Sequence, residues 1–335
     1  MNQHHVTDSE VISQLRLPLI VLVTYAHSYS GGAGGDVLRL LVGQTLVKVS
    51  VPVFFIVSGY LFFRNVVQWN LEVYVGKIRR RARSLLLPYL VWNLLMVAKL
   101  HTFSWSMFWN YWGHAGMQTD WLGHENWMTA PANLPLWFLR DLMVVSLFSP
   151  IIYIGLRHRG TAIVGVLTVV YLSGVGAFAL PGLSACSLCF FSIGALLGIR
   201  KQSLIRTALR VELPAYILSA GLVVAMQFAY GTPVFSSLML AFRLTGAAAV
   251  LCLGRRLLSV TARRLPAVCS KASYFVYLAH YVFFLSFIDA VFFRLPGCDT
   301  WVHYLLAPLL KAVLMVAVYV VFVRCRELFL KAKNF

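Results

Sequence analysis

Apolar stretches of spanning length recur through the 335 residues, near Leu15 to Tyr29, Leu38 to Phe63, Leu85 to Leu100, Leu136 to Leu156 and Ala162 to Leu180. They continue near Leu183 to Ile199, Leu213 to Tyr230, Val234 to Leu253, Tyr274 to Phe293 and Trp301 to Val323. Charges, Gly or Pro bound each run, and no stretch between them is long enough to build a separate water-soluble core. The pattern predicts an all-α fold: a polytopic integral membrane bundle of about ten transmembrane helices, forming a single domain over residues 1–335.

Composition agrees with a lipid environment. Sixty per cent of the residues (60%) are hydrophobic, 12% are charged, and the mean hydropathy is +0.77. A net charge of +18 would suggest nucleic acid in a soluble protein. Here the cations gather in short loops beside the apolar runs, so they read as orientation signals, and no nucleic-acid partner is expected. One set of loops carries Arg64 with Lys77 to Arg83, Arg157 and Arg159, Arg200 to Arg210, Arg255 to Lys271 and the tail from Arg324. The opposite set holds little beyond Arg39, Lys99 and Arg294, which places both termini in the cytoplasm. Met1 to Gln14 carries Asp8 and Glu10 instead of the basic-then-apolar build of a cleaved signal, so the first run is expected to be retained. The six cysteines are scattered, and Cys186 and Cys189 have no histidine or second pair nearby in sequence, so no metal site is expected.

The long outer segment 102–134 holds five tryptophans, including Trp121, together with His114, Asp120, His124 and Glu125, and no Lys or Arg. Its outermost tryptophans suit a headgroup belt. Trp121 and Glu125 suit either that belt or the stacking and hydrogen bonding that bind a sugar ring.

Ionisable side chains at membrane depth mark function by default. Arg16 and His27 stand eleven residues apart, which returns them to within about 20° of one helix face, about 16 Å apart along the axis. Arg16 alone could be a snorkelling interfacial residue. His27, among Thr24, Tyr25 and Ser28, is either a packed imidazole or a general base. Pro18 is placed in the first turn of that helix, where a missing N–H does no harm. In the second run, Pro52 and the Ser58-Gly59 pair predict a kink and a cavity, or alternatively a packing seam. Lys77, Arg80 and Arg83 recur every third residue and predict one basic stripe able to hold phosphate oxygens, with positive-inside retention the competing account. Arg140 and Asp141 are expected to pair. Arg243 and His280 complete the intramembrane polar set, and His280 could equally be a packing residue. Lys48 and Lys311 have no assignable partner in the sequence.

Taken together, these motifs resemble acyltransferase family 3, the ten-span membrane acyltransferases. Arg16 and His27 match its arginine, ten residues, histidine pattern, and Arg80 with Arg83 match its RxxR pattern before Pro88-Tyr89. Ser58-Gly59-Tyr60, the Pro135 to Arg140 segment and the Ser273 to His280 run are also similar. The resemblance implies transfer of an acyl group, most often acetyl, from cytoplasmic acyl-CoA to a carbohydrate or glycan hydroxyl at the outer face of a bacterial plasma membrane. It assigns Arg80 and Arg83, with Lys77, to the donor's phosphates. His27 would be general base or transient acyl carrier, Arg16 would orient the thioester, and Ser58 would serve the developing oxyanion. Arg140, His280, Trp121 and Glu125 would face the acceptor. A transporter or flippase would share the buried charge and the cavity, but it would not need the basic stripe.

Overall fold

Placing each helix by its start signal shows where the sequence reading holds and where it shifts. The computed structural model describes residues 6–27, 36–100, 118–119, 125–126, 131–174, 182–261, 264–282, 288, 290–291, 294 and 301–332. Among these the fold is helical, apart from a two-residue antiparallel pairing of Gln118–Thr119 with Glu125–Asn126. Five helices are long and apolar enough to cross a membrane: Asp8–Ala26, Arg39–Phe63, Glu212–Ala229, Pro233–Val260 and Val302–Leu328. A sixth span is possible in composition if Leu134–Leu147 and Ser149–Leu172, bent by 64°, are counted as one. The protein is a helical membrane protein. The chain divides into two units, residues 1–47 with 257–335, and residues 48–256.

In the first unit, helix α1 (Asp8–Ala26) starts earlier than its apolar run. Thr7 accepts from the Glu10 amide while Glu10 accepts from the Thr7 amide, a reciprocal cap that fixes the start. Pro18 therefore lies inside the helix, not in its first turn as the sequence suggested. The side chain of Gln14 turns outward and closes both hydrogen bonds with the Leu265 backbone. Helix α11 (Ala267–Ala279) runs parallel to α1, as shown by Ser13 against Ser270 near one end and His27 against His280 near the other. The last helix, α12 (Trp301–Ala332), packs on both. Gly43 supports this packing. Its missing Cβ leaves room for the Tyr304 hydroxyl, and the Tyr304 ring meets Tyr25 edge-on at 5.7 Å.

In the second unit, helix α2 (Ser50–Phe63) is preceded by a π-helical stretch, Arg39–Thr45, and a 3-10 turn, Leu46–Val49. Pro52 has no N–H for the carbonyl four residues back, so the irregularity falls before it. From Ser50 onward the helix is continuous, and the kink expected at Ser58-Gly59 is absent. Gly59 is instead one side of a seam with α7 (Ala185–Ile199), which runs parallel to α2. A Cβ on Gly194 would lie 2.7 Å from the Ile56 carbonyl carbon, and one on Gly198 would lie 2.7 Å from the Tyr60 oxygen. The two backbones touch, as small residues permit in membrane helices.

Helix α3 (Leu71–Arg81) passes through a π-helical turn, Ala82–Leu86, into α4 (Leu87–Leu100). Helix α5 (Trp137–Leu147) breaks at Phe148, before Pro150, into α6 (Ser149–Leu172), which has a second break at Arg159. That break falls where the sequence places a basic loop. Short helix α8 (Leu204–Leu209) leads to α9 (Glu212–Ala229) and α10 (Pro233–Val260), joined by an ion pair between Arg256 and Glu212. Leu213, Ile217, Val224 and Phe228 point outward from α9, as a lipid-facing surface requires.

Gly194→Val is expected to lower stability by on the order of 3 kcal/mol, because the side chain has to enter the Ile56 backbone. Gly165→Ala and Gly221→Ala, where a Cβ meets nothing within 4 Å, are expected to leave the thermal midpoint unchanged or raise it. Thermal unfolding in lipid nanodiscs checks all three variants.

Candidate functional site

Two parallel helices ending at the same level bring two imidazoles together. His27 closes α1 as its C-terminal cap residue, with φ −108° and ψ 9°, and His280 closes α11. The predicted run from Tyr274 through Phe293 therefore breaks at His280, where a turn covers residues 280–282. The ring centroids of His27 and His280 lie 5.5 Å apart, and the Tyr281 ring stands edge-on to His27 at 5.6 Å. His280 is 1% exposed. Its Nδ1 lies 2.7 Å from the Tyr277 carbonyl, which can only accept, so Nδ1 carries the hydrogen. In the neutral ring, Nε2 then holds a lone pair, and that buried atom has no hydrogen-bond partner. Lys311, also 1% exposed, lies on α12 within electrostatic reach of His280. Arg16 is exposed on α1.

The cations expected to form one stripe in the second unit divide between two faces. Lys77 and Arg81, one helical turn apart, point inward, whereas Arg80 and Arg83 are exposed. The Phe62 ring lies against both inward cations, at 4.9 Å from Lys77 Nζ and 5.2 Å from the Arg81 guanidinium. Lys77 donates to the Phe62 carbonyl, and Arg81 donates to Ser58 Oγ at 2.8 Å. Lys201, past the end of α7, donates to the carbonyls of Arg64 and Val66. These contacts satisfy carbonyls left open at the end of α2. Desolvation, and then the charges of Arg80, Arg81 and Lys201, push Lys77 below the ordinary lysine value. Desolvation lowers Arg81 to about 10. The π-helical turn at Ala82–Leu86 shifts Arg83 out of the regular three-residue repeat.

Arg140 and Asp141 pair as expected, with Arg140 Nη2 3.0 Å from Asp141 Oδ1, and both are buried. Ser58 is engaged by Arg81. Glu125 belongs to the short antiparallel pairing, while Trp121 and most of segment 102–134 lie outside the described residues. Arg81, Lys201 and Tyr281 were not singled out in the sequence. The spacing of Lys77 to Arg81 at i, i+4 was the available signal for the first, and the other two depend on tertiary packing.

A family model described as "Acyltransferase domain" matches residues 11–324. The chain belongs to this acyltransferase family. It is therefore a membrane acyltransferase, as the motif resemblance implied. It is 28% identical over 261 residues to "Succinoglycan biosynthesis protein ExoH" of Rhizobium meliloti (strain 1021), covering 72% of this chain and 68% of that relative. No solved structure matches the chain.

A protonated Lys77 or Arg81 with a lowered folded pKa costs stability at neutral pH. That cost is removed as pH rises from the lowered value toward the unfolded one, or when an anion binds. Millimolar pyrophosphate is therefore expected to raise the thermal midpoint of the wild type at pH 7. Arg81→Met is expected to unfold at a higher temperature without the anion and to show a smaller anion-induced rise, as differential scanning fluorimetry would record.

Proposed function

We propose that the protein transfers an acyl group from cytoplasmic acyl-CoA to a hydroxyl of a carbohydrate or glycan at the outer face of a bacterial plasma membrane. The reading is carried by the His27–His280 pair at the ends of two parallel helices, in a chain of acyltransferase family. Both helix C-termini present partial negative charge, which favours the imidazolium formed when His27 takes the acceptor's proton. The acceptor oxygen then attacks the thioester carbonyl, the C–S bond breaks, and the thiolate leaves as coenzyme A and is protonated. His280, held with its Nε2 lone pair available, accepts a hydrogen bond from the acceptor or from His27. Arg80 and Arg83, both exposed, grip the donor's phosphates, and the inward Lys77 adds positive potential. Arg16 orients the thioester at the donor's entry. Arg140 serves the acceptor side through the chain that includes Trp121 and Glu125. Ser58, with Arg81 donating to its oxygen, keeps its own O–H for the developing oxyanion.

The sugar acceptor is supported by the relative named for succinoglycan biosynthesis, and acetyl is the acyl group proposed first. The remaining topology is about ten spans with both termini cytoplasmic, supported by the alternation of basic loops. Transport is set aside because the matching family is one of acyltransferases.

Purified protein in lipid, assayed for release of free coenzyme A from a panel of acyl thioesters, tests the proposal. His27→Ala is expected to reduce turnover by about 10²- to 10⁴-fold with donor binding retained. Arg80→Ala and Arg83→Ala are each expected to weaken donor binding about tenfold. Wild-type protein that turns over none of the thioesters, with or without glycan acceptors, would refute the donor assignment.

A further inference from the structure

A second charged group in the 48–256 unit, of which the proposed mechanism uses only Arg140, has charges that do not balance. Polar residues of four helices lie within electrostatic reach of one another near the start of α7: Arg140 and Asp141 on α5, Tyr171 on α6, Cys186 on α7 and Arg243 on α10. Arg140 is 1% exposed, and its guanidinium holds Asp141 Oδ1 through Nε at 3.3 Å and Nη2 at 3.0 Å. Ser184 Oγ donates to the other Asp141 oxygen at 3.4 Å. The turn carrying Gly182 at φ +83° lies over the Arg140 stem, where a Cβ would come within 3.5 Å of Arg140 Cγ. Arg140 and Asp141 cancel in charge.

Arg243 does not cancel. It lies well inside an apolar helix, within electrostatic reach of Tyr171 and Cys186, and Cys186 is in turn within reach of Asp141. Among the described residues no carboxylate forms an ion pair with Arg243. Beside it the Tyr171 hydroxyl, on a residue 2% exposed, faces the Arg243 guanidinium at the margin of hydrogen bonding and closes no other hydrogen bond. A guanidinium with no carboxylate among the described residues, beside a buried phenol whose one hydrogen-bonding neighbour is that cation, is costly to keep at membrane depth. One negative charge with two acceptor oxygens would satisfy both, through the guanidinium fork and the phenolic O–H. A phosphate dianion would bring two charges to one uncompensated cation. A carboxylate matches the charge.

We propose that Arg243, Tyr171 and the Arg140–Asp141 pair form a subsite for a carboxylate carried by one of the two reactants. The source is either a dicarboxylic acyl group on the donor or a uronic acid in the acceptor glycan. The inference rests on the acyl-CoA-to-glycan reading for its assignment to a reactant, and not for the existence of the anion site. The subsite sets substrate preference: the reactant bearing the carboxylate is bound by a charge-assisted contact that its neutral counterpart lacks.

Two measurements on full-length protein in nanodiscs test it. In the first, turnover of succinyl-CoA is compared with acetyl-CoA, and turnover with a uronate-containing oligosaccharide is compared with its carboxyl-reduced form. The wild type should favour the carboxylate-bearing member of one pair by at least about tenfold. Preference in the donor pair places the carboxylate on the acyl group, and preference in the acceptor pair places it on the glycan. Arg243→Gln should collapse that ratio to below about twofold, and Arg243→Lys should keep part of it. An unchanged ratio in Arg243→Gln, or no preference in either pair, overturns the proposal. The second measurement is thermal unfolding with succinate or glucuronate against succinamide or glucose. Stabilisation of the wild type by a carboxylate, absent in Arg243→Gln and in Tyr171→Phe, supports the site even if no thioester is turned over, in which case it is the donor reading that fails. Equal stabilisation of wild type and Arg243→Gln overturns the site while leaving the donor reading untouched.

Discussion

Polar groups withdrawn from water have to find partners inside the protein, and in this chain that requirement decides where helices stop, turn and touch. The carbonyls at the end of α2 are met by Lys77 and Lys201, so the chain leaving that helix is tied down by amines. Arg140 is tolerated at 1% exposure because its neighbour supplies the carboxylate. Gln14 reaches across to the Leu265 backbone from the turn of α1 that precedes Pro18. Two of the buried atoms left without a close partner, His280 Nε2 and the Tyr171 hydroxyl, lie beside residues with chemistry to offer.

Much of this was legible in the sequence, because hydropathy and charge alternation act over whole segments. The apolar runs near Leu38 to Phe63, Leu213 to Tyr230 and Val234 to Leu253 became helices with nearly those bounds. The pairing of Arg140 with Asp141 could be anticipated from adjacency. Local caps were harder to read. Thr7 and Glu10 started α1 before the apolar pattern begins, which moved Pro18 from the first turn into the helix. Ser58-Gly59 looked like a kink, but the same small residues also permit close packing, and only the neighbouring Gly194 and Gly198 show which use was made of them. The basic residues divide for a geometric reason: three residues fall short of a full helical turn, so Lys77 and Arg80 already differ in exposure within α3, and the π-helical turn at Ala82–Leu86 then displaces Arg83. His27 and His280 were both visible as candidates, yet their adjacency was not, since it depends on the register in which α1 lies along α11.

The two imidazoles differ in environment, and that difference suits a division of labour. His27 is half-buried at a helix end, open to an approaching hydroxyl, with Tyr281 at its side. His280 is enclosed and fixed in one tautomer by the Tyr277 carbonyl, with Lys311 nearby on α12. The proposed mechanism accordingly gives the acceptor's proton to His27.

The glycine seam between α2 and α7 has a mechanical consequence. Helices in backbone contact cannot slide or rotate past each other without separating, so the pair behaves as one strut. Along α7, 15 residues long, the strut spans about 22 Å. Cys186 sits near one end of α7, and Lys201 lies just past the other. A strut of fixed length therefore holds the backbone positions of Cys186 and Lys201 at constant separation, whatever the surrounding helices do.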